Sequence, residues 1–216
     1  MPDDQAGIVE DENSMDITIP AFDPAHGAGS ADQIAARFRG TDRKGPKTTI
    51  ATASRKKFDD VGKLAATLPA DDAMLNHTPE ILRDTMVRAI EEQRNVHVAA
   101  WIYAIKYEAD QDWHVILGTD PGGRTKTFFN AEVSGLPPPS APAAATLRTV
   151  RQQLADILGD ALPAGPAYRA LTHPIGVVVE GSLFFDVDHP AGAVGPAGMR
   201  PSTAWEIHPI TRLVLQ

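Results

Sequence analysis

From Asn95 the chain alternates with a period of two. Val96, Val98, Ala100, Ile102 and Ala104 fall on one side, and His97, Ala99, Trp101, Tyr103, Ile105 and Tyr107 on the other. This period predicts a strand, and two largely apolar sides predict a long, curved one that serves two packed layers. Ala109-Asp110-Gln111-Asp112 predicts a tight turn, and Trp113 to Gly118 the returning strand of a hairpin. Thr119 to Gly123 is a second turn, and Thr127 to Val133 a third strand. After the proline-rich connector Leu136 to Pro142 the period lengthens. It predicts a helix over Ala143 to Leu158 that buries Leu147, Val150, Leu154 and Ile157, with Gly159 as its C-cap. Two more strands, Ile175 to Val187 and Thr203 to Leu215, are joined by a Gly/Pro-rich loop.

Upstream, the pattern predicts two helices. Asp59 to Leu68 is short and stops at Pro69. Thr78 to Gln93 has Thr78 as cap, Pro79 at the first helical position and Glu80 at the positive helix end. Its Ile81, Leu82, Thr85, Met86, Ala89 and Ile90 recur at helical spacing, so one face should be buried. Residues 1 to 30 show little periodicity and read as a disordered leader. A short helix, Ser30 to Arg39, follows it with Ser30 as N-cap. The chain thus divides into a flexible leader (1–57), a helical segment (58–93) and a β domain (94–216).

Three strands in meander, a helix and two more strands is the order of the OB-fold, a small five-stranded Greek-key barrel. The stretch from Arg94 to Leu215 resembles that fold in topology, through its overlong first strand and the helix between strands three and four. The resemblance implies a mainly β protein: an OB-like barrel preceded by a helical segment. Staphylococcal-nuclease-like proteins share the order, but the chain has no match to their catalytic motif. Asp112-x-His114, Phe184-Phe185-Asp186 and Glu206-Ile207-His208-Pro209 together resemble a group of uncharacterised bacterial proteins with a terminal Glu-(Leu/Ile)-His-Pro. That resemblance implies no activity.

Charge narrows the partners. The net charge is −8, and it is unevenly placed. Residues 1 to 36 hold eight acids and no Lys or Arg, whereas residues 37 to 63 hold nine bases and three acids. From residue 64 onward there are 17 acids and 11 bases, which argues against a surface built to grip phosphate backbones. Only the basic segment suits an anion, and short charge runs such as Arg55-Lys56-Lys57 are ordinarily solvated linkers. With no cysteine there is no disulfide, thiolate ligand or thiol nucleophile. No apolar run is long enough to cross a bilayer, and Met1-Pro2-Asp3-Asp4 does not open a signal peptide, so the expectation is a cytoplasmic protein with no membrane partner.

The strands carry the candidate chemistry. Glu206 and His208 share one side of the last strand, opposite Trp205 and Ile207. His114 opposes Trp113 and Val115, Asp186 opposes Phe185, and Glu132 lies near the end of its strand. If the apolar sides fill a barrel, His114, Glu132, Asp186, Glu206 and His208 converge outside it, with His189 reaching over from the loop. Imidazoles beside carboxylates suit a divalent metal, or a histidine base oriented by an acid. We assign Asp186, His189 and His208 as ligands and His114, Glu132 and Glu206 as acid/base groups. This is the pattern of a metal-assisted hydrolase, with phosphodiesters as one substrate class. A polar network that merely pins the 188–202 loop is the structural alternative. A second functional class is a non-catalytic OB-type module for an oligonucleotide, an oligosaccharide, a small molecule or a protein. Trp101 and Tyr103 would then stack bases and Lys56 and Lys57 meet phosphates, although aromatics on a long strand are ordinarily core.

Overall fold

The computed structural model describes residues 42–122, 127–163 and 165–216. The acidic leader and the helix expected over Ser30 to Arg39 lie outside the described residues.

The chain is mainly β, with six strands in one sheet. They are β1 (Arg55–Phe58), β2 (Asn95–Tyr107), β3 (Trp113–Gly118), β4 (Phe128–Val133), β5 (Arg169–Phe185) and β6 (Trp205–Leu215). Among the described residues four α-helices accompany them: α1 (Lys44–Thr48), α2 (Val61–Ala65), α3 (Asp71–Leu75) and α4 (Ala144–Leu158). β2 pairs antiparallel with both β3 and β5, β3 with β4, and β5 with β6. A parallel pairing of β4 with β6 completes a ring of five strands. β1 lies outside this ring, parallel to the first residues of β2. Among the described residues, no helix is long and apolar enough to cross a membrane.

The ring forms because β2 reaches both neighbours. Its register shifts between Ile102 and Ala104, and such an irregularity bends a strand. The inner sides of the strands supply Trp113, Val115, Leu117, Phe129, Ala131, Leu183, Phe185, Trp205 and Ile207 to one core. α4 adds Val150, Leu154 and Leu158, and α2 and α3 add Val61, Leu64 and Met74. Gly159 ends α4 with φ of +48°, where a side chain would be strained.

One glycine sets how closely β5 and β6 approach. A Cβ on Gly181 would lie 2.4 Å from Ile207 Cγ2 and 2.5 Å from the Pro209 carbonyl oxygen. This crowding sits next to His208, so the spacing of the two strands governs where that imidazole stands. Gly181→Ala should therefore cost about 1–3 kcal/mol, as overpacking does. Urea unfolding measures it, and an unchanged midpoint would show that the two strands can part freely.

Two expectations are corrected. Residues 78–93 are not a helix: apart from a single 3-10 turn at Ile90–Glu92 the segment is irregular. Ile81 is buried, but Leu82, Met86 and Ile90 of the expected apolar face are exposed. Polar anchors override the helical period. The Arg88 guanidinium donates to the carbonyls of Leu183, Pro46, Thr49 and His208, tying its own segment to α1, β5 and β6. Glu92 binds the buried Arg43 guanidinium at 2.7 Å and accepts from the Phe185 backbone N–H. A lone helix of this length gains little by itself, so buried ion pairs and carbonyl contacts decide the path. The second correction is the sixth strand. β1 falls where the sequence reads as linker, and the boundary at residue 57 cuts through it. Three of its four residues are exposed, so no hydrophobic pattern marks it.

Candidate metal centre

Strand register builds the site. Asn130 pairs with Ile116 and with Glu206, and Glu132 pairs with His114. Phe184 pairs with Glu206 on the other flank. Side chains two apart on a strand share a face, so His114, Asn130, Glu132, Asp186, Glu206 and His208 stand together on the outer side of the ring. All six are buried. Asp112 joins them from the turn before β3, where Arg151 of α4 holds the Gln111 and Ser134 carbonyls and the Gly135 N–H donates to Asp112 Oδ1.

Glu132 is at the centre. Its Oε1 lies 2.9 Å from His114 Nε2, and its Oε2 lies 3.0 Å from His208 Nδ1. Asn130 Nδ2 donates to Glu132 at 3.1 Å and to Glu206 at 2.7 Å. Glu206 Oε1 also stands 3.1 Å from His208 Nδ1. That nitrogen thus faces two carboxylates, whose acceptors place the proton on it. The other ring nitrogen, Nε2, is buried without a hydrogen-bond partner and stands 3.5 Å from Asp112 Oδ2. A second orphan, the Asn130 side-chain carbonyl oxygen, is buried in the same cluster. Buried polar atoms ordinarily have partners, so two orphans among four carboxylates invite an explanation.

The edge of the cluster is more open. His189 Nδ1 lies 2.8 Å from Asp186 Oδ2, its ring stands edge-on to His114, and its side chain is 38% exposed. Lys47 of α1 is buried with its ammonium 4.0 Å from the same Asp186 oxygen and 5.5 Å above the Phe184 ring. Tyr168 Oη lies 3.2 Å from His114 Nδ1.

Electrostatics follow from crowding. Burial favours the neutral acid at Glu132, but His114 and His208 outweigh it and hold the carboxyl well below the usual range. Burial likewise opposes charge on Asp186, yet the His189 hydrogen bond and Lys47 keep it low. Nothing comparable rescues the other two. Burial, then the Glu132 and Asp186 charges, push Glu206 well up, and burial with Asp110 does the same to Asp112. Burial disfavours the His114 imidazolium, but Glu132 prevails and its pKa is pushed up to about 9. The Lys47 ammonium is desolvated, and the four carboxylates overcome that and raise its pKa.

The six residues expected at the site are therefore brought together, His189 at its edge. The sequence reading omitted Asp112, Asn130 and Lys47 from the site. The first two follow the same i, i+2 rule as Glu206 and His208: Asp112 precedes His114, and Asn130 precedes Glu132. The residues assigned to nucleic acid are not part of this cluster. Tyr103 is buried, its ring edge-on to Phe128 and pressed against Gly118, so it offers no face to a base. Trp101 is partly buried against that same apolar group. Lys56 and Lys57 are exposed on β1.

Among the described residues, two groups of buried side chains could hold a metal ion: Asp112, Glu132 and His208, and Glu132, Asp186 and Glu206, the ligand atoms of each lying within 4.8 Å of one another. Comparison of the chain with protein-family models, with curated proteins and with solved structures finds no match in any of the three.

Proposed function

We propose that the protein is a metal-dependent hydrolase of OB-like fold that acts on phosphodiesters. The closed run of strand pairings, with a helix between the fourth and fifth strands, supports the OB-like reading. The observation that carries the metal is His208. A metal-ligating histidine donates its other ring N–H to a carboxylate, and here Nδ1 faces Glu132 and Glu206 while Nε2 is left bare beside Asp112. For Asp112, Glu132 and His208 to hold the ion, Glu132 would leave the Nδ1 proton to Glu206; the set, carboxylates with an imidazole, suits Mn2+ or Zn2+. Such an ion, when bound, supplies a Lewis acid and a water of lowered pKa.

The chain's own groups divide the remaining work differently from the sequence expectation. His189 is the exposed imidazole, and Asp186 fixes its Nδ1. It is placed to give a proton to a leaving oxygen, with Asp186 keeping the ring oriented. His114, fully enclosed and bonded to Glu132, stabilises that carboxylate instead.

The test is hydrolysis of bis(p-nitrophenyl) phosphate by protein stripped with chelator and reloaded with Mn2+. His208→Ala should lose both the metal and the activity. His189→Ala should keep the metal and lose about 100-fold or more in rate, the usual worth of a positioned proton donor. One observation favours a second reading: the three ligands are almost wholly buried, and closed sites are ordinarily structural. On that reading Mn2+ raises the melting temperature and no turnover appears.

A further inference from the structure

We propose that the centre takes one divalent cation, and that Lys47 stands in the place of a second. This inference rests on the metal reading above. The two donor groups share Glu132, the arrangement of a two-metal centre in which one carboxylate serves both ions. They differ in how their charge is already met. Asp112, Glu132 and His208 include the His208 Nε2, a buried atom without a hydrogen-bond partner that faces Asp112 at 3.5 Å. Glu132, Asp186 and Glu206 are all carboxylates, and the Lys47 ammonium lies 4.0 Å from Asp186.

The lysine is fixed there by the fold. α1 is docked on the ring because the Ser134 hydroxyl donates to the Lys47 carbonyl and Arg43 is clamped by Glu92 and the Phe185 carbonyl. Arg88 adds a bond to the Pro46 carbonyl, just before Lys47. The side chain then runs over the Phe184 ring into the cluster. Its charge is held by Asp186, Glu132 and Glu206, the members of the second group, with Asp112 behind them. A divalent ion in that group would meet an ammonium only a few ångströms away, and like charges at that range repel strongly where water is excluded. The second cation is therefore built into the chain, and the anionic substrate meets one metal and one ammonium.

Titration of the chelator-stripped full chain with Mn2+, followed by isothermal calorimetry, tests this. Wild type should bind one ion per chain. Lys47→Met, which keeps the length and removes the charge, should bind two, and adding Glu206→Gln should return it to one. Two ions on wild type, or one on a folded Lys47→Met, would overturn the inference and leave the metal reading standing. No ion on wild type would overturn both. If Lys47→Met does not fold, Lys47→Gln carries the same expectation of two ions, and one ion on it would overturn the inference.

Discussion

Glu132→Ala is expected to lower the unfolding free energy of the metal-free protein by about 3–5 kcal/mol, the cost of stripping one partner from buried ion pairs. Glu132 faces His114 at 2.9 Å and His208 at 3.0 Å, and accepts from Asn130. All three partners are buried, so water cannot replace the lost carboxylate without opening the cluster. At an ordinary slope of roughly 2–3 kcal/mol per molar urea, the midpoint should fall by about 1–2.5 M. Glu132→Gln separates charge from shape: it fills the space and keeps an acceptor for Asn130, so it should cost less. The same two variants also report on the metal, since Glu132 belongs to both donor groups. Mn2+ should raise the stability of wild type, by an amount that grows with the logarithm of its concentration over Kd, and should leave Glu132→Ala unmoved. A loss of under about 1 kcal/mol on Glu132→Ala would mean that the cluster is wet and its pairs are screened.

Much of the ring was legible because its strands obey one rule. A period of two with apolar residues on the inner side marks β2, β3, β4 and β6 to within about two residues, and a period near 3.6 marks α4. The same rule found the site, since polar residues two apart on neighbouring strands must share a face. It could not find what arrives from elsewhere. Lys47 comes from a five-residue helix in a basic stretch whose sequence resembles a solvated linker. Its burial depends on Arg43 meeting Glu92 and on Arg88 meeting four carbonyls, contacts between residues 39 to 120 positions apart that no local window contains. The failure at 78–93 has the same source. Its apolar spacing is helical, yet Arg83, Arg88 and Glu92 have partners in different directions: Asp188, the carbonyls around β5 and β6, and Arg43. The anchors of that segment are polar, and hydrophobic periodicity does not record them.

Raising the pH from about 6.5 to 9 should destabilise the metal-free protein by about 3 kcal/mol through His114 alone, at 1.36 kcal/mol for each pKa unit. The sign follows from which state holds the proton more tightly. In the folded chain Glu132 pushes the His114 pKa from 6.5 up to about 9, so folding favours the imidazolium. That stabilisation is fully present below about pH 6.5, where both states are protonated, and is lost as the pH climbs through about 9. The other groups of the cluster do not reverse the trend. Glu132 and Asp186 are held below the usual carboxylate range, so their contribution is gained above about pH 4 and stays constant across this window. Asp112 and Glu206 are pushed up, which gives their contribution the same direction as that of His114. Urea unfolding in the presence of a chelator, at pH 6.5 and at pH 9, measures the loss. His114→Asn removes the titrating group, so the stability gap between variant and wild type should shrink by about 3 kcal/mol across the window. A gap that stays constant would mean that His114 does not share its proton with Glu132, and that the imidazole sits neutral in the folded cluster.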